Sequence, residues 1–246
     1  MAKVLLVTGG GRGIGAATAR LAAAAGYDLA VNFLRDESAA KKLVRELSGG
    51  RAIALQGDVA VESDVVRMFD ELDRKLGRIT ALVNNAGIVD RGTRVEQMSA
   101  ARLQRMLAVN VSGSFLCARE AIRRMSKRNG GAGGVIVNVS SIAARLGGPG
   151  EYVDYAASKG AIDTFTIGLA REVGADGIRV NAVRPGVIRT DIHLASGDPG
   201  RVERLGAAAP LGRAGEAEEV ARAILWLLSD EASYASGAIL DVGGGR

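Results

Sequence analysis

Val4-Leu5-Leu6-Val7-Thr8-Gly9-Gly10-Gly11-Arg12-Gly13-Ile14-Gly15 is the stretch whose reading decides the fold. Four apolar residues in a row read as a strand buried on both faces, since a half-buried strand would alternate with polar residues. Glycines then break the run. From Gly13 to Ala25 the chain resumes as an Ala-rich helix. A glycine turn between a strand and a helix lets backbone amides approach a pyrophosphate, and the helix N-terminus favours negative charge.

Outward from this junction the same alternation repeats. Short apolar runs at Leu29–Phe33, Ala52–Leu55, Ala81–Val83, Val135–Val139, Arg179–Val183 and Ile239–Val242 read as six further strands. Helical patterns separate them at Ser38–Leu47, Glu62–Leu76, Ser99–Arg128, Tyr155–Val173 and Ala217–Leu228. Strand–helix–strand repetition with continuous apolar strands predicts a doubly wound α/β Rossmann fold, about seven parallel strands with helices on both faces. No break in composition divides residues 1–246, so one domain is expected. The least patterned segment, 189–213, is the expected substrate lid.

Composition narrows the class. The 246 residues are 48% hydrophobic and 4% aromatic, so a large core is expected from Ala, Val, Leu and Ile. The net charge of +5 invites a nucleic-acid reading. The densest basic cluster, Arg119, Arg123, Arg124, Lys127 and Arg128, instead fits the solvated face of one helix. With one cysteine (Cys117) and one histidine (His193), neither an intrachain disulfide nor a metal centre is expected. Cys117 and Trp226 read as core residues. No apolar run is long enough for a leader or a membrane span, and a cytoplasmic protein is the expectation.

Tyr155-Ala156-Ala157-Ser158-Lys159 carries the chemistry. In a helix the phenol and the ammonium share a face, one turn apart. A positive charge nearby favours the phenolate, and so is expected to lower the phenol pKa from about 10 toward the operating range of an acid/base group. In the cofactor half, an NAD-specific site would present a carboxylate about 20 residues after the glycine loop. Here the second strand ends in Asn32-Phe33-Leu34-Arg35, with Asp36 and Glu37 arriving late. Arg12 and Arg35 suit a 2′-phosphate. The expected cofactor is NADP(H), with NAD(H) second.

Taken together, the motifs Thr8-Gly9-x-x-x-Gly13-x-Gly15, Asn84-Asn85-Ala86-Gly87, Asn110, Ser140-Ser141, Tyr155-x-x-x-Lys159 and Pro185-Gly186-x-Ile188-x-Thr190 resemble the short-chain dehydrogenase/reductase family over nearly the whole chain. The resemblance implies roles. Gly9, Gly11, Arg12, Gly13, Ile14 and Gly15 would cradle the pyrophosphate, and Asp58 and Val59 would meet the adenine. Asn85, Ala86, Gly87, Pro185, Gly186, Ile188 and Thr190 would flank the rest of the dinucleotide. Ser141 would bind a substrate carbonyl and Tyr155 would exchange its proton. Lys159 would hold the ribose and tune Tyr155, while Asn110 would kink its helix and hold a water that links Lys159 to solvent. In many relatives the serine lies thirteen residues before the tyrosine. Here Ile142 holds that place and Ser141 lies fourteen before, so the 147–154 loop carries one extra residue. Ser141 is assigned over Ser140. Tyr152 has Ala156 four residues on, lacks a lysine partner, and is placed in the substrate pocket with His193.

The function these features predict is an NADP(H)-dependent interconversion of a carbonyl and a secondary alcohol; the resemblance implies a homotetramer, with the last strand and C-terminus, Leu240–Gly245, at a subunit interface. Two other readings stay open: a non-catalytic dinucleotide-binding regulator, and an S-adenosylmethionine enzyme with a similar glycine loop. For substrate, a ketoacyl or ketone reductase and a sugar 1-dehydrogenase are both compatible.

Overall fold

The computed structural model describes residues 3–191, 198 and 200–246. Seven strands form one parallel sheet: β1 (Lys3–Val7), β2 (Tyr27–Phe33), β3 (Ala52–Gln56), β4 (Ala81–Asn84), β5 (Gly134–Val139), β6 (Ile178–Pro185) and β7 (Ile239–Val242). Their spatial order is β3-β2-β1-β4-β5-β6-β7. The chain builds outward from β1 to β3, then returns to lay β4 against the free edge of β1. In register, Leu5, Leu6 and Val7 face Ala81, Leu82 and Val83. This is the Rossmann-like α/β architecture, and the reversal opens a crevice at the carboxyl ends of β1 and β4.

Alternate residues of β1 feed two cores. Leu5 and Val7 join the small side chains of α1 (Gly13–Ala24), Ala40 and Leu43 of α2 (Glu37–Glu46), and the inner face of α9 (Ala217–Leu228). Val4 and Leu6 join Met68, Phe69 and Leu72 of α3 (Glu62–Leu76), Cys117 and Ala121 of α5 (Gly113–Met125), and Leu169 and Val173 of α7 (Val153–Val173). Both faces of the sheet are covered, which is why its strands read as unbroken apolar runs. Cys117 is fully buried, as expected, and burial pushes its thiol up to about 12.

Three expectations change. The helix expected at Ser99–Arg128 is interrupted: α4 (Ala100–Leu107) passes through a π turn, Ala108–Ser112, before α5 begins. Trp226 is 44% exposed, because α9 turns Val220, Ala221, Ile224, Leu227 and Leu228 inward and leaves position 226 on the outer face. The segment expected to be an irregular lid contains α8 (Arg201–Ala207). A short helix, α6 (Ala143–Leu146), follows β5.

The basic cluster on α5 is a knot of ion pairs more than a solvated face. Glu120 is 3% exposed and accepts from Arg123 and Arg124 at 2.8 and 2.9 Å, with Arg119 at 3.2 Å. Arg124 reaches across to Asp73 and Asp70 at 2.6 and 2.8 Å, tying α5 to α3. Removing one partner of a buried ion group leaves the others uncompensated, whereas an exposed pair contributes little. Glu120→Ala is expected to cost about 2–3 kcal/mol, a fall of several degrees in Tm. Arg123→Ala, at a side chain 60% exposed, should cost less than about 1 kcal/mol. Thermal unfolding of the two variants checks the ordering.

Candidate active site

One cavity of about 670 Å³ runs along the carboxyl ends of the strands, a volume suited to a small-molecule site. At one end lies the loop after β1. Gly9 and Gly13 hold positive φ values of 59° and 53°, a region other residues rarely adopt. A Cβ on Gly9 would stand 3.0 Å from the Ala86 Cα, and one on Gly15 would stand 2.7 Å from the Asn85 Nδ2. The loop is pinned from two sides. Asn32 at the end of β2 accepts from the Gly9 amide at 3.0 Å and donates to the Gly57 carbonyl at 3.0 Å. Thr8 Oγ1 accepts from the amides of both Asn85 and Ala86 at 3.0 Å, and Asn85 Nδ2 donates to the Thr8 carbonyl at 2.9 Å. The turns after β1 and β4 thus form one rigid unit.

Gly9, Arg12, Gly13, Ile14, Asp58, Val59, Asn85, Ala86, Gly87, Pro185, Gly186, Ile188 and Thr190 all line the cavity. Gly11, Gly15 and Arg35 do not. Gly15 is a packing glycine of the first helical turn, and the residue of β2's exit that faces the cavity is Leu34. Arg12 and Arg35 are exposed and form no ion pair with a described residue. Asp36 is committed elsewhere: its carboxylate accepts from the Ala39 amide at 2.9 Å and caps α2. Asp58 is held by Arg105, whose Nη1 donates to Oδ2 at 3.0 Å and which also lines the wall. A close-approach glycine cradle at a helix start fits the pyrophosphate of a dinucleotide.

At the other end stand Ser141, Tyr155 and Lys159. Ser140 is sequestered, donating to the Lys159 carbonyl at 3.1 Å, while Ser141 accepts from the Ala143 amide at 3.1 Å and lines the cavity with Tyr155, close enough to favour its phenolate. The extra residue before Tyr155 therefore leaves Ser141 beside the phenol. Helix α7 starts at Val153, two residues earlier than expected, and its first turn is anchored by Asp154. That carboxylate, 2% exposed, pairs with Arg102 of α4 at 2.7 and 3.2 Å. Lys159 is buried and donates to the Val139 carbonyl at 2.8 Å, with Nζ centred 5.7 Å from the Tyr155 ring. Asn110 in the π turn accepts from the Ile88 amide at 2.8 Å. It donates to the Ile88 carbonyl at 2.9 Å and to Ser158 Oγ at 3.0 Å. A Cβ on Gly87 would lie 3.4 Å from both Asn110 Oδ1 and Lys159 Nζ, so the three residues meet at one part of the wall.

The electrostatics correct one expectation. Burial pushes the Tyr155 phenol up to about 12, and the hydrogen bond from Ser141 only partly offsets this. Burial lowers Lys159 to about 8, against the opposing pull of Asp163 one turn on. Desolvation is the largest cause for both groups, so at neutral pH this protein holds a neutral phenol beside a charged ammonium.

Tyr152 lines the cavity, its ring edge-on to Tyr155 with centroids 5.6 Å apart. His193 lies outside the described residues. Sequence reasoning missed several positioning groups. Thr8, Asn32 and Ser158 sit inside or beside the motifs and were legible as polar residues at strand ends or helix turns. Arg102 and Arg105 come from segments whose sequence carries no signal.

The relatives agree with this geometry. Residues 9–246 match the family model described as enoyl-(acyl carrier protein) reductase. An uncharacterized oxidoreductase of Escherichia coli (strain K12), YgfF, is 55% identical over 245 residues, covering 99% of each chain. A human 3-oxoacyl-(acyl-carrier-protein) reductase is 43% identical over 249 residues, covering 100% of this chain and 98% of its own. The 3beta-hydroxysteroid dehydrogenase 1 of Eggerthella lenta is 39% identical, covering 99% and 93%. Similarity of this extent, running nearly end to end, makes this chain a member of the short-chain dehydrogenase/reductase family, an enzyme acting on CH–OH and C=O groups with a nicotinamide dinucleotide.

Proposed function

We propose that this protein is an NADP(H)-dependent reductase of a small carbonyl compound, running the alcohol oxidation as its reverse. The observation that carries the reading is that Ser141, Tyr155 and Lys159 line one end of the cavity that begins in the glycine loop, with the Lys159 ammonium 5.7 Å from the centre of the Tyr155 ring. The dinucleotide, when bound, supplies or accepts the hydride. Ser141 donates to the carbonyl oxygen and orients it. Tyr155 passes its phenolic proton to that oxygen as charge develops there; in the reverse direction it takes the proton back. Lys159 stabilises the phenolate that remains and faces the region where the ribose would lie. Asn110 positions the segment after β4 and, through Ser158, the turn that carries Tyr155. A neutral phenol at pH 7 suits reduction, in which the tyrosine must arrive carrying its proton.

Preference for the phosphorylated cofactor is supported by unpaired Arg12 at the cavity and by Asp36 being spent on the α2 cap. Leu103, Leu107, Phe115 and Ile167 are exposed on α4, α5 and α7, and Trp226 and Leu240 on α9 and β7. Two separate apolar faces support a homotetramer. A single buried cysteine is compatible with a cytoplasmic site of action. Among the described residues no helix is long and apolar enough to cross a membrane.

Tyr155→Phe should lower kcat for ketone reduction by at least about 100-fold while NADPH binding, followed by fluorescence titration, is unchanged; a loss under about tenfold would falsify the acid/base role. Arg12→Ala should raise the KM for NADPH about tenfold and leave that for NADH nearly unchanged. Equal losses for both cofactors would remove the 2′-phosphate assignment. The pH profile follows from Lys159 at about 8. Below that pH the ammonium is charged and kcat/KM for reduction should be flat; above it the charge is lost and kcat/KM should fall. A rate that climbs through pH 8–9 would instead point to a phenolate as the active form.

A further inference from the structure

Arg201 begins α8, yet it is only 7% exposed and points into the cavity. Its Nη2 donates to Glu151 Oε2 at 2.6 Å and to the Tyr152 hydroxyl at 2.6 Å. The guanidinium carbon sits 5.0 Å from the centre of the Tyr152 ring. That ring is 5.6 Å from the ring of Tyr155, so the guanidinium carbon lies within about 11 Å of the phenol ring centre, the sum of the two spans. Ile142, Leu146, Val187 and Leu205 give the same cavity apolar lining.

A guanidinium removed from water is costly unless a carboxylate compensates it. Glu151 compensates it from the rim, through a side chain that is itself 41% exposed. The Glu151 backbone is fixed independently, its carbonyl accepting from the Thr93 amide at 2.7 Å. The side chain can therefore leave for solvent without unravelling the loop. Elsewhere the arginines of the lid pair at the surface, as Arg189 does with Glu203 and Arg213 with Glu219. Arg201 alone among these carries its charge to the place where a substrate would lie.

We propose that Arg201 reads a carboxylate on the substrate, and that Glu151 occupies that position until the substrate displaces it. The substrate class is a short oxo acid, its carbonyl between Ser141 and Tyr155, its carboxylate on Arg201 and Tyr152, and its carbon chain along the apolar wall. Guanidinium–carboxylate geometry supplies the specificity. The exchange replaces one carboxylate by another, so the charge around Arg201 is unchanged. Arg204 and Arg246 add positive charge nearby and Asp191 adds negative charge. The proposal rests on reading the cavity as a carbonyl-reducing site.

The test uses three probe pairs: 4-oxopentanoate, 5-oxohexanoate and 6-oxoheptanoate, each beside its methyl ester, with NADPH oxidation as the readout. Wild type should favour the best acid over its ester by about tenfold or more in kcat/KM. Arg201→Ala should erase that preference, lowering kcat/KM for the acid about tenfold more than for its ester. Arg201→Lys, which keeps the charge and should fold as wild type does, should retain part of the preference. Glu151→Gln removes the internal competitor and should lower the KM for the acid severalfold. Equal losses on acid and ester in the Arg201 variants, no acid preference in wild type, or a raised acid KM in Glu151→Gln would each overturn the proposal. If neutral ketones or aldehydes are reduced but none of these acids is, the proposal fails and the reductase reading stands. If no carbonyl compound oxidises NADPH, the reductase reading itself fails.

Discussion

The pairing of β4 against β1 is the constraint on which the rest depends. It places the turn after Val7 and the turn after Asn84 side by side, and Thr8 fastens them by accepting two amides from the second turn. At Gly9 and Gly13 such a cradle presents bare backbone. Its walls are backbone, and the spacing between them is set by the hydrogen bonds of a parallel sheet. Asn32 brings β2 into the same unit, so three strand ends contribute to one rigid surface.

The second half of the cavity is governed by removal from water. Lys159 is buried with the Val139 carbonyl as its hydrogen-bond partner, and the phenol above it is desolvated as well. Each group resists ionisation or charge in a direction opposite to what the pair alone would impose. Burial of the phenolate sets the direction of the Tyr155 shift, upward, where the neighbouring cation alone would lower it. What the helix supplies is alignment. Asp154 with Arg102, and Ser158 with Asn110, hold the first turns of α7 so that the hydroxyl of Tyr155 meets Ser141.

Much of this was legible in the chain. The glycine loop after β1, the unbroken apolar strands and the Tyr155–Lys159 spacing depend on local rules, and local rules are written in consecutive residues. Trp226 shows where such reading fails: an apolar run in a helix does not say which residue faces out, and α9 turns its tryptophan away from the core. The π turn at Asn110 was visible as an ill-suited residue in a helix, but its cause, the backbone of Ile88, lies 22 positions away. The arginines that buttress Asp58, Asp154 and Tyr152 arrive from distant elements. Long-range ion pairs leave no pattern in a sequence, because any exposed arginine looks alike until the fold supplies its partner.

Asp36 carries one further consequence. Its carboxylate is a structural fastening for α2, so it is not free to evolve as a cofactor sensor without loosening a helix that packs on the core. Leu34, two residues earlier, faces the cavity and is 41% exposed, with nothing structural to lose. Natural selection seeking to change the nucleotide diet of this enzyme would find position 34 permissive and position 36 locked. Specificity and stability are thereby assigned to separate residues of one short turn, which leaves the cofactor choice open to single substitutions while the scaffold stays as it is.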